Sequence, residues 1–258
     1  MAELILWESL SAPQFRALSG PVVAVLPLGA TEQHGPHLAT SVDSDLVEAV
    51  LARTSVPEET CVLVLPTLKI TKSAEHDRHP GTLSLSGDTL LAVLRDIAAS
   101  VRRAGVERLC LFNGHGGNTA LLEMAVREMR ITHEMIAVHC SWFGFAETAG
   151  LIAPDALAVD LHAGDTETSA MLAAAPDRVD MALAENFRPA MCDWPEAWIG
   201  LTGQAARPGW IIDDLNGQGA CGDATAATAE KGEALLQSAA RNFGEFLQEF
   251  ASFDHRKG

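Results

Sequence analysis

The sequence predicts an α/β fold, a parallel sheet with helices on both faces. Three observations carry this reading. Short, β-rich apolar runs recur at 22–26, 61–65, 109–112 and 135–140. Segments with helical spacing lie between them, and a polar cluster follows each run. Strands alternating with helices of this length imply right-handed βαβ units and a sheet covered on both sides.

The elements follow in order. A first helix is expected over about 45–53, with Leu46, Val47, Val50 and Leu51 on one side and Asp43 just before it. The clearest helix covers 88–103, where Leu90, Leu94, Ile97 and Val101 repeat at three- and four-residue steps. Asp88 is placed to cap its first amides and Gly105 to end it. A third begins at Asn118, another capping residue, and continues through Leu121, Leu122, Ala125 and Met129. After about residue 141 the pattern loosens, and Trp194, Trp198 and Trp210 accompany frequent Gly and Pro. A last helix is expected over about 224–250. No repeat or Pro/Ser/Gly linker divides the chain, so residues 1–258 are read as a single domain.

Composition narrows the function classes. Apolar residues make up 48% of the chain and charged ones 20%, the balance of a soluble globule with a full core. A chain this long buries roughly three-quarters of its unfolded surface and needs no disulfide merely to fold. Lys plus Arg number 18 against 34 Asp plus Glu, a net charge of −16 that repels phosphate backbones and anionic lipid. Nucleic-acid and membrane partners are therefore not expected. The longest apolar stretches, such as 21–28, fall short of the ~20 residues of a membrane span. Residues 1–9 carry Glu3 and Glu8 and no basic residue, unlike a signal peptide. Five cysteines stand singly with no C-x-x-C pair. The chain reads as a reduced, cytoplasmic, acidic protein.

In open α/β sheets the ligand crevice lies beyond the carboxyl ends of the strands. The polar clusters fall there: 32–37 after the first strand, 75–79 after the second, 113–118 after the third and Trp142 after the fourth. Six of the nine histidines lie in these loops or in the segment 160–169. Glu32 and His34 are two apart, so an extended backbone points both the same way. Together with Asp43, and with His115 from another strand, they form a mixed N/O set suited to Zn²⁺ or Mn²⁺. The absence of nearby cysteine favours a water-activating centre over a structural zinc. The plain alternative is a surface pair, because E-x-H alone is a weak pattern.

Glycines around His115 let backbone approach a metal or substrate closely, and Gly116 and Gly117 before a helix suit an anion or developing oxyanion. An ordinary glycine-rich turn is the alternative. His162 and Glu167 are five apart; Thr166 or Asp165 can cap a short helix carrying Met171 and Leu172 into the core, with Glu167 in its first turn. Helix-dipole preference accounts for Asp165 better than for a second acid two residues on. His76, Trp142 and the Trp194/Trp198 segment are candidates to line a substrate pocket, with core or interface packing the alternative for the tryptophans. The stretch 217–222 fits G-x-G-x-x-G, but only a helix follows it, which argues against a dinucleotide site. No P-loop and no G-x-S-x-G elbow is present.

Several blocks together resemble the creatininase (creatinine amidohydrolase) family. They are 28–38 followed by Asp43, Glu75-His76 with Pro80-Gly81-Thr82, Asn113-Gly114-His115-Gly116-Gly117-Asn118, His162-Ala163-Gly164 with Glu167-Thr168-Ser169, and Gly222-Asp223 with 226–232. The resemblance runs in order from about residue 20 to 235. It implies a parallel-sheet α/β fold, often assembled as a homo-oligomer, commonly a hexamer, and a two-metal centre hydrolysing C–N bonds. By position it implies Glu32, His34, Asp43, His115 and Glu167 as metal ligands, with Asp43 bridging, and His162 in proton transfer. Zn²⁺ or Mn²⁺, with Fe²⁺ as a further option, would be the ions, two per chain. One position departs from the pattern. Creatininase has N-G-H-Y-E-N, whose glutamate binds a metal, where this chain has Gly116 and Gly117; the N-G-H-G-G-N form is similar to the wider family. The expected reaction is hydrolysis of a small cyclic amide or formamide. A peptide-derived cofactor precursor or an oxidised inositol ring is the alternative substrate, and a non-catalytic metal-binding oligomer the alternative of another class.

Overall fold

The structure, a computed structural model, describes residues 2–194, 198–201 and 204–256. Its centre is a five-stranded, wholly parallel sheet in the order β2-β5-β3-β6-β7. These strands are β2 (Ile5–Leu6), β3 (Val22–Leu28), β5 (Cys61–Val64), β6 (Arg108–Asn113) and β7 (Ile136–Ser141). Two antiparallel pairs lie outside it, β1 (Ala2–Glu3) with β4 (Ser55–Val56) and β8 (Asn186–Phe187) with β9 (Gly222–Asp223). The helices are α1 (Ala12–Ala17), α2 (Val42–Arg53), α3 (Gly87–Arg103), α4 (Thr119–His133), α5 (Pro154–Leu157), α6 (Asp165–Ala174), α7 (Ile212–Leu215) and α8 (Ala229–Ser252).

Strand alternation sorts the core into two layers. Val23, Val25, Val62, Val64, Cys110 and Phe112 meet Leu46, Val50, Met171, Leu236, Phe243 and Leu247 of α2, α6 and α8. The other face, with Ala24, Leu26, Leu63, Leu109 and Leu111, meets Leu90, Leu94, Leu122 and Met129 of α3 and α4. The expected α/β fold with helices on both faces is what the chain forms. α6 and α8 make the closest helix pair: a Cβ built on Gly232 would stand 1.8 Å from the Ser169 carbonyl oxygen. No helix among the described residues is long and apolar enough to cross a membrane.

Element ends depart from expectation where capping chemistry was misassigned. Ser86, not Asp88, caps α3: its hydroxyl accepts from the Thr89 amide at 3.2 Å, which starts the helix one residue earlier. Asn118 precedes α4 without a side-chain cap; its amide donates instead to Thr71 Oγ1 and Asn113 Oδ1. Neither Asp165 nor Thr166 caps α6. Its N-cap is Gly164, and Leu172 is only half-buried while Met171 is fully buried. The last helix starts at Ala229 behind a Thr228 cap, because Asp223 first closes a separate single turn over Ala224–Ala226. α2 begins at Val42, so Asp43 lies inside its first turn, not ahead of it.

Candidate metal centre

Loops at the carboxyl ends of β3, β5 and β6 converge with α2 and α6 on one buried cluster. Glu32, His34, Asp43, His76, His115, His162 and Glu167 are all at most 8% exposed. The turn after β6 is shaped by side-chain amides: Asn113 accepts from the His115 amide and donates to the His115 carbonyl. Gly114 is required by proximity, since a Cβ there would meet the Asp43 carbonyl oxygen at 2.4 Å. That contact seats the first turn of α2 against the strand end and brings Asp43 to His115. An aspartate in a helix's first turn is also favoured by the helix dipole.

Asp43 stands between two imidazoles. Its Oδ1 lies 3.5 Å from His34 Nε2 and its Oδ2 3.5 Å from His115 Nδ1. Glu32 Oε2 is 3.2 Å from His115 Nδ1, and Glu167 Oε2 is 3.8 Å from His34 Nε2. Donor atoms of Glu32, Asp43 and His115 fall within 4.8 Å of one another, as do those of His34, His162 and Glu167 and those of Glu32, His76 and His162. Three of these buried atoms, Glu32 Oε1, His34 Nε2 and Asp43 Oδ2, have no hydrogen-bond partner among the described residues. Buried polar atoms left unpaired are costly, and here they face each other around shared space.

The electrostatics follow from this crowding. Burial opposes a charge on His34, but Asp43, Glu167 and Glu32 outweigh it and push its pKa up to about 10. His115 is likewise pushed up to about 9, burial being overcome by Glu32, Asp43 and Glu75. Burial raises the Glu32 carboxyl, yet His115, His162 and His34 hold it well below the ordinary range. Glu167 is pushed up to about 7 by burial, with His34 opposing and Asp43 adding to the rise. His76 is pushed down to about 4 and His162 well below its usual value, in both cases chiefly by burial. Without an ion, protons on His34 and His115 balance the carboxylates.

A cavity of about 420 Å³ opens onto the cluster. Glu32, Asp43, His76, His115, Gly116, Gly117, His162 and Glu167 line its floor, and Phe143, Leu157, Leu161 and Trp210 form an apolar wall. Trp142 is not among its walls. It is fully buried in the core beside α8, with its ring centroid 4.2 Å from that of Phe143, which takes the cavity position instead. Trp194 packs on Ile212, Leu215 and Cys221, and Trp198 is exposed. The stretch 195–197 between them lies outside the described residues.

Three contributors have little signal in the sequence. Glu75, although adjacent to His76, fills the space where a side chain at position 117 would begin: a Cβ on Gly117 would stand 1.9 Å from Glu75 Oε1. Lys72 Nζ holds that carboxylate at 2.5 Å, and the Lys72 carbonyl oxygen accepts from His115 Nε2 at 2.9 Å. The Gly219 carbonyl, within the set-aside glycine motif, accepts from the Gln33 amide at 2.8 Å. Gly117→Ala is expected to lower stability by about 1–3 kcal/mol through overpacking against Glu75 and against the His115 ring, whose Nε2 would lie 2.4 Å from the new Cβ. Adding Glu75→Ala should restore the part of that loss due to Glu75; a double variant no more stable than Gly117→Ala in thermal unfolding would refute Glu75 as a source of the clash.

This buried set of carboxylates and imidazoles at the edge of a parallel α/β sheet defines a hydrolase class. The chain belongs to the creatininase family, whose sequence profile, described as creatinine amidohydrolase, matches residues 8–247. It is 32% identical to the creatinine amidohydrolase of Pseudomonas putida over 259 residues, covering 94% of each chain. It is 34% identical to the mycofactocin precursor peptide peptidase of Mycolicibacterium smegmatis over 223 residues, 84% of this chain and 80% of that one. Among solved structures, a tryptophan-to-alanine mutant creatininase superposes with TM-score 0.74 at 26% identity, covering 97% of this chain and all of the other. A creatininase described as an Mn form gives TM-score 0.72 at 26% identity over the same shares. A zinc–zinc form of a mutant creatininase gives 0.73 at 26% identity, covering 98% and 100%.

Proposed function

We propose that this creatininase-family hydrolase depends on divalent metal and cleaves a C–N bond of a small, cyclic amide or formamide. One observation carries the metal dependence: the unpaired Glu32 Oε1, His34 Nε2 and Asp43 Oδ2 converge in a fully buried site. Glu32, Asp43 and His115 would hold one ion and His34, Asp43 and Glu167 the other, with Asp43 shared. Hydrogen bonding fits this, because His34 Nδ1–H donates to the Glu32 carbonyl and His115 Nε2–H to the Lys72 carbonyl. Each ring then turns its other nitrogen, as a lone pair, toward the carboxylates, as ligating histidines do. The N/O donor set suits zinc or manganese, and iron as well. A divalent cation held there supplies Lewis acidity, polarising a carbonyl and acidifying water.

The chain's own groups supply the rest. His162 donates its Nε2–H to the Gln33 carbonyl at 2.9 Å, leaving Nδ1 3.5 Å from Glu32 Oε1. Its depressed pKa means that a proton taken at Nδ1 is readily handed on to a departing nitrogen. The apolar wall excludes water from the face of a small ring, and about 420 Å³ is room for one. The 34% identity to a peptide peptidase supports a peptide amide as the second reading. An oxidised ring is the third, since a 3-dehydro-scyllo-inosose hydrolase of Thermotoga maritima is 23% identical over 248 residues, 88% of this chain and 78% of that one. A cytoplasmic homo-oligomer, with five cysteines free, accompanies this reading.

Elemental analysis and a parallel screen of cyclic amides, formamides, short peptides and inososes test it. About two ions per chain, and turnover abolished by chelation and restored by metal, are expected. Activity indifferent to chelation would overturn the proposal. Proton linkage gives a further check. His34 and His115, with pKa values of about 10 and 9 in the metal-free protein, carry at neutral pH protons that an ion must displace. Metal affinity should therefore rise with pH from neutrality to about 10, with protons released on binding. Calorimetry in buffers of different ionisation enthalpy counts them, and pH-independent affinity would contradict the ligand assignment.

A further inference from the structure

His76 is oriented oppositely to the other imidazoles of the cluster. His34, His115 and His162 each spend one N–H on a backbone carbonyl, of Glu32, Lys72 and Gln33 respectively, and turn the other ring nitrogen toward the carboxylates. His76 Nδ1 instead faces the side-chain amide nitrogen of Gln33 at 2.7 Å. The amide cannot be reversed without loss. Gln33 Oε1 accepts from the Gly35 amide at 3.0 Å, and Gln33 Nε2 donates to the Gly219 carbonyl at 2.8 Å. The Gln33 nitrogen also lies 3.3 Å from His162 Nε2, but that nitrogen carries a proton spent on the Gln33 carbonyl and cannot accept, so the two amide protons go to Gly219 and His76 Nδ1. A neutral imidazole that accepts at Nδ1 carries its proton on Nε2. His76 lines the cavity, and that nitrogen lies 3.7 Å from the unpartnered Glu32 Oε1, too far for a hydrogen bond between them.

We infer that Gln33 fixes His76 as an inward Nε2–H donor that hydrogen-bonds the substrate's carbonyl oxygen. It follows that the grouping of Glu32, His76 and His162 does not hold a third ion, because the nitrogen His76 presents there is already protonated. Gln33 is a positioning residue acting through His76. The inference rests on the hydrolase reading above, yet its first readout does not depend on turnover.

The test is the tautomer of His76, read by long-range ¹H–¹⁵N correlation on the zinc-loaded protein and assigned by the peak absent from His76→Gln. A proton on Nε2 in the wild type, with that preference lost in Gln33→Met, is the expected result. A proton on Nδ1 overturns the inference even in a fully active enzyme. Metal content gives the second readout. His76→Gln and Gln33→Met should retain the wild-type number of ions, and loss of an ion from His76→Gln would make His76 a ligand and defeat the proposal. On any amide the wild type hydrolyses, Gln33→Met should lower kcat by ~10–10²-fold, less than the 10²–10³-fold of deleting an oxyanion donor. His76→Gln, which keeps an N–H, should retain more activity than His76→Ala; equal loss would count against hydrogen-bond donation. Failure of the hydrolase reading appears differently, as a protein that binds no metal or turns over no substrate whatever its His76 tautomer.

Discussion

Asp43→Ala is expected to lose both ions and, with them, hydrolysis. Asp43 presents one oxygen to His34 and the other to His115, each at 3.5 Å, so its removal takes a ligand from both halves of the cluster at once. It also leaves the buried cluster with one fewer anion to hold a cation. We expect kcat/KM to fall by at least ~10³-fold, since one preorganised electrostatic group alone is worth 10²–10³. Elemental analysis and kinetics on the same preparation decide it. Full activity in a metal-free Asp43→Ala protein would refute the scheme. Asp43→Asn is the companion variant, similar in shape but lacking the charge, and it separates loss of the anion from collapse of the α2 turn.

His162→Ala should behave in the opposite way toward metal, keeping the ions and losing turnover by ~10²–10⁴-fold, the range of general acid–base catalysis. His162 falls within reach of a cation shared with His34 and Glu167, and of one shared with Glu32 and His76, so the metal content of this variant is the discriminating number. Ions retained with activity lost assigns His162 to proton transfer. Ions lost in step with activity would make it a ligand, and the proton would need another carrier.

The central strands were legible because continuous apolar runs flanked by polar clusters leave few alternatives. Their ends moved by a residue or two, as at 61–65 against Cys61–Val64. Helix starts were harder to read. Ser86 and Asp88 are both good caps, and only the Thr89 amide pointing at Ser86 distinguishes them. The five expected ligands, Glu32, His34, Asp43, His115 and Glu167, come together in one buried cluster, since short motifs at strand ends report chemistry directly. Glu75 was harder to assign, because what it does depends on an absence 42 residues along the chain, the missing side chain of Gly117. Gln33 lies between Glu32 and His34 with no signal of its own in the sequence, and its role exists only once residues 76, 162 and 219 surround it. Trp142 shows the reverse error: its place after a strand suggested a pocket, but an indole that large was taken up by the core.

The close seat of α6 on α8 bears on when the centre can be completed during synthesis. Glu32, His34, Asp43 and His115 belong to the first half of the chain, and their strands can pair as it emerges from the ribosome. Glu167 rides on α6, and α6 is braced by Gly232 and the rest of α8, which is translated well after it. A nascent chain thus carries most of the ligands without the scaffold that fixes Glu167. On the proposed two-ion reading, stable capture of both ions would wait until α8 has been synthesised and has docked on α6.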